Sequence, residues 1–210
     1  MLNIPSVPEV IDFLQFCTLN FPDFAKLLLE DYGQTLSNSL GGWLQSDEDT
    51  VKSALELLNS LVQFQDESSF DFSLVGPYTD GQYSTDIRAL ALNILSQIKS
   101  EDSVQFLQRF FEMFMNEKPT PTVFQIIHDG IQDDFFVELI PQIYERSIEN
   151  IDVPDSSIVL ADISSNLDQE SRENIISLIF QQSDLCIERA DALYRICHEN
   201  QNNLPQNFVE

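Results

Sequence analysis

The 210-residue chain is poor in positive charge: 10 Lys and Arg stand against 35 Asp and Glu, for a formal net charge of −25. A field of that sign repels phosphate backbones and anionic lipid surfaces, which argues against direct binding to nucleic acid or membrane. It favours a basic protein partner, unless the charge serves solubility alone. Glycine (6) and proline (9) are few as well, which suits long helices with short connections. The three cysteines, Cys17, Cys186 and Cys197, are an odd set inside apolar helical patterns. They read as buried free thiols in a reducing compartment rather than a disulfide framework. No stretch approaches the roughly 18 apolar residues of a membrane-spanning helix. The opening "MLNIPSVPEV" has neither a basic n-region nor a long apolar core, so it is not read as a signal peptide. The expectation is an intracellular protein, cytoplasmic or nuclear.

Residues for chemistry are also missing. His128 and His198 are the only histidines, and neither has Cys, His or paired acids around it at metal-ligand spacing. There is no Gly-rich phosphate loop, no G-x-S-x-G elbow and no H-E-x-x-H. Acid pairs such as Asp133–Asp134 are expected near helix N-termini, where the dipole favours them. No catalytic residue, cofactor site or metal site is expected, and the chain does not read as an enzyme.

What is present is apolar residues, 43% of the chain, which is enough for a core and excludes disorder throughout. Their spacing repeats. In "SDEDTVKSALELLNSLV" (46–62), Val51, Ala54, Leu55, Leu58, Leu61 and Val62 recur at three- and four-residue steps, the signature of one buried helix face. Ile87, Leu90, Ile94 and Ile98 do the same in "YSTDIRALALNILSQI" (83–98), with Ser84 or Thr85 as cap. Val51 and Ile87 are 36 apart; further steps of 36, 35 and 29 reach Val123, Ile158 and Ile187, and a step of 41 back reaches Val10. Between these helices lie partners. "FPDFAKLLLEDYGQTLSNSLGGWL" is expected to break at Gly33 and at Gly41–Gly42, and the Phe-rich "FLQRFFEMFMNE" (106–117) to be buried on two sides. Each repeat is a predicted helical hairpin, with a period near that of helical-repeat solenoids.

At these residues the chain resembles the HEAT/armadillo-like helical repeats. Asp49, Val51 and Lys52, and again Asp86, Ile87 and Arg88, match the Asp and the Val–Lys or Val–Arg pair that open the second helix of a HEAT repeat. The later repeats depart, with Gln125 and Val159 where the base would stand. The resemblance implies an all-α, right-handed α-solenoid of about five hairpins, with Asp–Lys/Arg ladders between repeats. An irregular helical bundle is the alternative. The reading gives one repeat domain over 1–200 and a flexible tail at 201–210. Because both ends lack the polar caps that solenoids need, a fragment of a longer array is also an open reading.

One segment interrupts the pattern. "QDESSFDFSLVGPYTDGQYSTD" (65–86) alternates acids with rings and carries no Lys or Arg. It stands where the first helix of the second repeat belongs, yet its residues allow at most a short helical turn. Two readings stand: a lid whose rings cover exposed repeat faces, or a receptor in which Asp66, Glu67, Asp71 and Asp80, with Tyr78 and Tyr83, meet Lys or Arg by charge and cation–π contact. The expected function is a non-catalytic protein-binding scaffold: adaptor, transport receptor segment or assembly chaperone for a basic partner. The alternative is a structural subunit that docks into a larger complex through apolar surfaces. A nucleic-acid mimic would need a regular acidic spacing that is lacking here.

Overall fold

A computed structural model describes residues 7–67, 70–98, 100–131, 134–184 and 186–199; for 66, 67, 134, 135 and 199 only the backbone is described. The described residues are helical or in turns, with no strand among them. The chain divides into two compact units, Met1–Phe114 and Met115–Glu210. No described helix is long and apolar enough to cross a membrane.

The first unit contains α1 (Val7–Asn20), α2 (Pro22–Glu30), α3 (Gly33–Trp43), α4 (Glu48–Leu61), α5 (Thr85–Gln97) and most of α6 (Ser103–Asn116). Two 3₁₀ helices, Val62–Glu67 and Phe72–Thr79, fill the chain between α4 and α5. Helix α4 is central, packing on α1 along one side and α5 along the other. Its sequence permits this because Ala54, Leu55, Leu57, Leu58 and Leu61 are all fully buried, a set wider than the stripe a surface helix needs. Asp47 starts the helix, its carboxylate accepting from the Thr50 amide at 3.0 Å, as an N-cap residue should. Thr18 and Ser60, both buried, place their hydroxyls 2.7 Å apart and tie α1 to α4 within this apolar contact.

The second unit repeats the plan with α7 (Pro121–Gly130), α8 (Asp134–Glu138), α9 (Ile140–Glu149), α10 (Pro154–Ile163), α11 (Gln169–Phe180) and α12 (Ile187–Glu199). Here α10 lies between α7 and α12, α9 packs on α10, and α11 packs on α12. Helix starts again follow local chemistry: Thr120 and Asp168 cap α7 and α11, and Pro121, Pro141 and Pro154 sit in first turns, where a missing N–H costs nothing. Gly130 ends α7 because the Phe136 ring lies 2.6 Å from where a Cβ would stand.

Each unit therefore sets three of the predicted second helices side by side: those of Val10, Val51 and Ile87 in the first, and those of Val123, Ile158 and Ile187 in the second. The all-α class is as expected. Details differ. The break between α2 and α3 falls at Asp31–Tyr32, one step before Gly33, and Gly41–Gly42 lie inside the last turn of α3. Within 106–117, helix α6 buries Phe110, Met113 and Phe114 and leaves Phe106, Leu107 and Phe111 half-buried. The three thiols are free but only half-buried, since Cys17 lies off the α1–α4 contact and Cys186 precedes α12. The tail over 201–210 lies outside the described residues.

Arg189 is the largest fully buried side chain, 1% exposed. Its guanidinium donates to the carbonyls of Ile151 (2.9 Å) and Asp152 (3.1 Å), in the turn before α10, and to the carbonyl and carboxylate of Asp184. It thereby fastens the start of α12 to the start of α10. Removing one partner from such a cluster strands buried acceptors, so Arg189→Ala should lower stability by about 3 kcal/mol. The shift of the urea midpoint measures this; a loss below about 1 kcal/mol would mean that water satisfies those carbonyls.

Candidate functional site

The acidic aromatic segment is not a loose excursion. Asp71 accepts from the Ser73 amide at 2.9 Å and opens the 3₁₀ helix. Phe72 and Val75, 3% and 0% exposed, insert against α5, which this short helix covers in place of a full first helix. The tighter 3₁₀ winding accommodates Gly76–Pro77 over its short length. Beyond it, the Tyr83 amide closes a turn on the Asp80 carbonyl at 3.1 Å. Apolar insertion at one end and this turn at the other leave Tyr78 and Tyr83 together, with ring centroids 5.0 Å apart and planes at 42°. The Tyr78 hydroxyl donates to the Leu44 carbonyl, pinning the segment to the corner between α3 and α4. Burial, then the neighbouring Tyr83, pushes the Tyr78 phenol above its ordinary pKa, so it stays a neutral donor at physiological pH.

These two rings line a cleft of about 530 Å³. Leu44, Val51 and Ile87, all buried, supply its apolar lining, with Gln45, Ser46, Glu48, Gln82 and Ser84 as polar members. Ser46 and Gln82 are 36 apart, as are Glu48 and Ser84. Equivalent turns at the starts of α4 and α5 thus face the same space. An apolar, ring-lined cleft with one carboxylate suits the stem and cationic head of a Lys or Arg side chain.

Of the six residues singled out in the sequence, Tyr78 and Tyr83 line this cleft. Asp80 is exposed on the stretch between them. Asp71 is exposed at the far end of the 3₁₀ helix, its carboxylate engaged by the Ser73 amide. The side chains of Asp66 and Glu67 lie outside the described ones. Glu48 sits in the first turn of α4, where the dipole favours an acid for local reasons, and only its 36-residue spacing from Ser84 links it to the cleft in the sequence.

Beside the cleft the acids continue across three helices. Lys52 of α4 pairs with Asp86 of α5. Glu56, one turn on from Lys52, is held above the ordinary carboxylate value of 4.5, first by burial and then by Asp12 of α1 and Asp86, with Lys52 opposing them.

The second unit has its own ladder, at residues the sequence reading left unconnected. His128 Nδ1 lies 2.6 Å from the Asp162 carboxylate, whose other oxygen meets Arg195, so one nearly buried acid joins α7, α10 and α12. Gln125, in the place of the expected base, bonds instead to Asp129 on its own helix at 2.8 Å. The ladder persists but has moved along the helices. Among the described residues, no group of three His, Cys, Asp or Glu could hold a metal ion. In comparisons with known proteins, no family model matches the chain, and no curated protein or solved structure matches it significantly.

Glu56 gives a signed test. Its folded-state pKa is raised, so between 4.5 and that raised value the folded state holds more protons than the unfolded, and stability falls as pH rises through this window. Glu56→Gln removes this dependence. The variant should be more stable than wild type at pH 7, with the advantage shrinking as pH falls through the window. Urea midpoints between pH 4 and pH 7 decide it; a constant difference would show Glu56 to be fully solvated.

Proposed function

We propose that the chain is a non-catalytic, HEAT-like α-solenoid that binds another protein, as adaptor, transport receptor segment or assembly chaperone for a basic partner. The observation that carries this reading is the cleft itself. Equivalent turns of consecutive repeats, two tyrosines and Glu48 form a receptor for a cationic side chain, on a chain whose net charge of −25 draws such a partner in. The repeat reading rests on a recurring offset. Tyr78 to Leu44, Lys52 to Asp86 and Asn93 to Asn59 in the first unit, and Lys118 to Asp152 and His128 to Asp162 in the second, all join residues 34 apart. Other long-range side-chain bonds span offsets from 29 to 42, and 34 is the step that recurs most often.

In this reading the exposed acids attract and the rings retain. Association draws on Asp66, Glu67, Asp71 and Asp80 together with Glu48; dwell time draws on the ring of Tyr83. Buried Phe72 and Val75 make the segment a lid as well, so the two roles are compatible.

The test uses a partner recovered by pull-down from native lysate. Changing Asp66, Glu67, Asp71 and Asp80 to Asn or Gln should slow association about three- to tenfold and flatten its dependence on salt. Tyr83→Ala should instead speed dissociation. Tyr78→Phe separates fold from binding: it loses the bond to Leu44 at a cost of about 1 kcal/mol while keeping the ring. Surface plasmon resonance across ionic strengths reads all three. If binding is indifferent to salt and to these substitutions, the segment is a lid only, and a subunit docked through apolar surfaces becomes the better account.

A further inference from the structure

Helix α1 is anchored by Ile11 and Thr18, 0% and 1% exposed, which face α4. Leu14 is half-buried beside them, but five other large apolar residues of the helix are exposed. Val7, Val10, Phe13, Phe16 and Leu19 are 47%, 37%, 63%, 56% and 60% exposed. Val10, Phe13 and Phe16 follow one another at three-residue steps, a row that a helix turns only slowly around its axis. Together these side chains expose on the order of 400 Å² of surface around more than half of the helix, and Val10, Phe13 and Phe16 form its continuous row.

Acids outnumber bases on the two helices here, where Lys26 of α2 is the one base. Glu9 and Asp12 lie on α1 itself and Asp23 on α2, and no Lys, Arg or His occurs before Lys26. Two candidate occupants can be weighed. A second copy would set Glu9 and Asp12 against their own equivalents, and a stable dimer needs about 800 Å² from each partner, roughly twice this patch. An amphipathic helix of three or four turns, apolar on one face and flanked by Lys and Arg, fits both the area and the sign.

We infer that the outer face of α1 is a second docking surface, separate from the tyrosine cleft, that receives a basic amphipathic helix of a partner protein. It shares with the proposed function only the preference for basic partners. The helix would lay its apolar stripe along Val10, Phe13 and Phe16 and set its cations beside Glu9, Asp12 and Asp23, the mode by which amphipathic helices settle on apolar faces.

The experiment uses the full chain and a defined probe: a fluorescein-labelled 18-residue helical peptide with Leu on one face and Lys along both flanks. Its control has every Lys replaced by Glu. Fluorescence anisotropy should show saturable binding of the Lys peptide and none of the Glu peptide. The double variant Phe13→Ser/Phe16→Ser should weaken binding at least tenfold with an unchanged circular dichroism spectrum. Should the double variant misfold, Phe13→Ser alone should weaken binding about threefold. Loss of binding through substitutions on α1 alone separates this surface from the cleft. Equal binding of both peptides, or undiminished binding by the folded serine variant, would overturn the inference. So would a dimer in light scattering that Phe13→Ser/Phe16→Ser converts to monomer, since a second copy would then own the face.

Discussion

Everything in each unit depends on the burial of a middle helix on both sides. Helix α4 has fully buried side chains toward α1 and toward α5, and α10 is flanked in the same way by α7 and α12. A hairpin of two helices leaves one such face wet; a third helix closes it. Each fully buried Leu contributes about 1.5–3 kcal/mol relative to exposure, so Leu55, Leu57, Leu58 and Leu61 outweigh any single ladder contact, which for exposed ions is worth about 0–1 kcal/mol. This ordering explains why the Lys52–Asp86 pair need not recur between α7 and α10 for those helices to pack. The polar contacts set register on a stack that apolar burial already holds together.

The same ordering explains what could be read from the sequence. Helices α4, α5, α7, α10 and α12 were legible because three- and four-residue apolar spacing is a property of one segment alone. The start of α5 at Ser84 was legible as well, though its side chain makes no capping hydrogen bond, unlike Asp47 and Thr120 at the starts of α4 and α7. The ladder through His128, Asp162 and Arg195 was not, because it depends on how far one helix slides along its neighbour, which no single segment encodes. The buried state of Arg189 was hidden for a similar reason: its acceptors at Ile151 and Asp152 lie nearly forty residues back in the chain.

The cleft was half legible. Acids and rings crowded into 65–86 drew attention to Tyr78 and Tyr83, which the structure brings together. The sequence suggested at most one helical turn there, whereas the chain forms 3₁₀ helices held by Phe72 and Val75. Tertiary burial decided a conformation that local propensity leaves nearly open. Glu48, on the opposite wall, belongs to another segment entirely and only the repeat connects the two.

The exposed phenylalanines of α1 bear on how the protein behaves in concentrated solution. An apolar patch invites copies to stick, yet a net charge of −25 pushes them apart over a Debye length of about 10 Å at 0.1 M salt. The repulsion has the longer reach, so dilute buffer favours dispersed molecules. At 1 M salt the screening length shrinks to about 3 Å, while kosmotropic anions strengthen apolar attraction. Colloidal stability of this chain should therefore fall as salt rises. The same excess of acids is what keeps Phe13 and Phe16 from meeting their own copies.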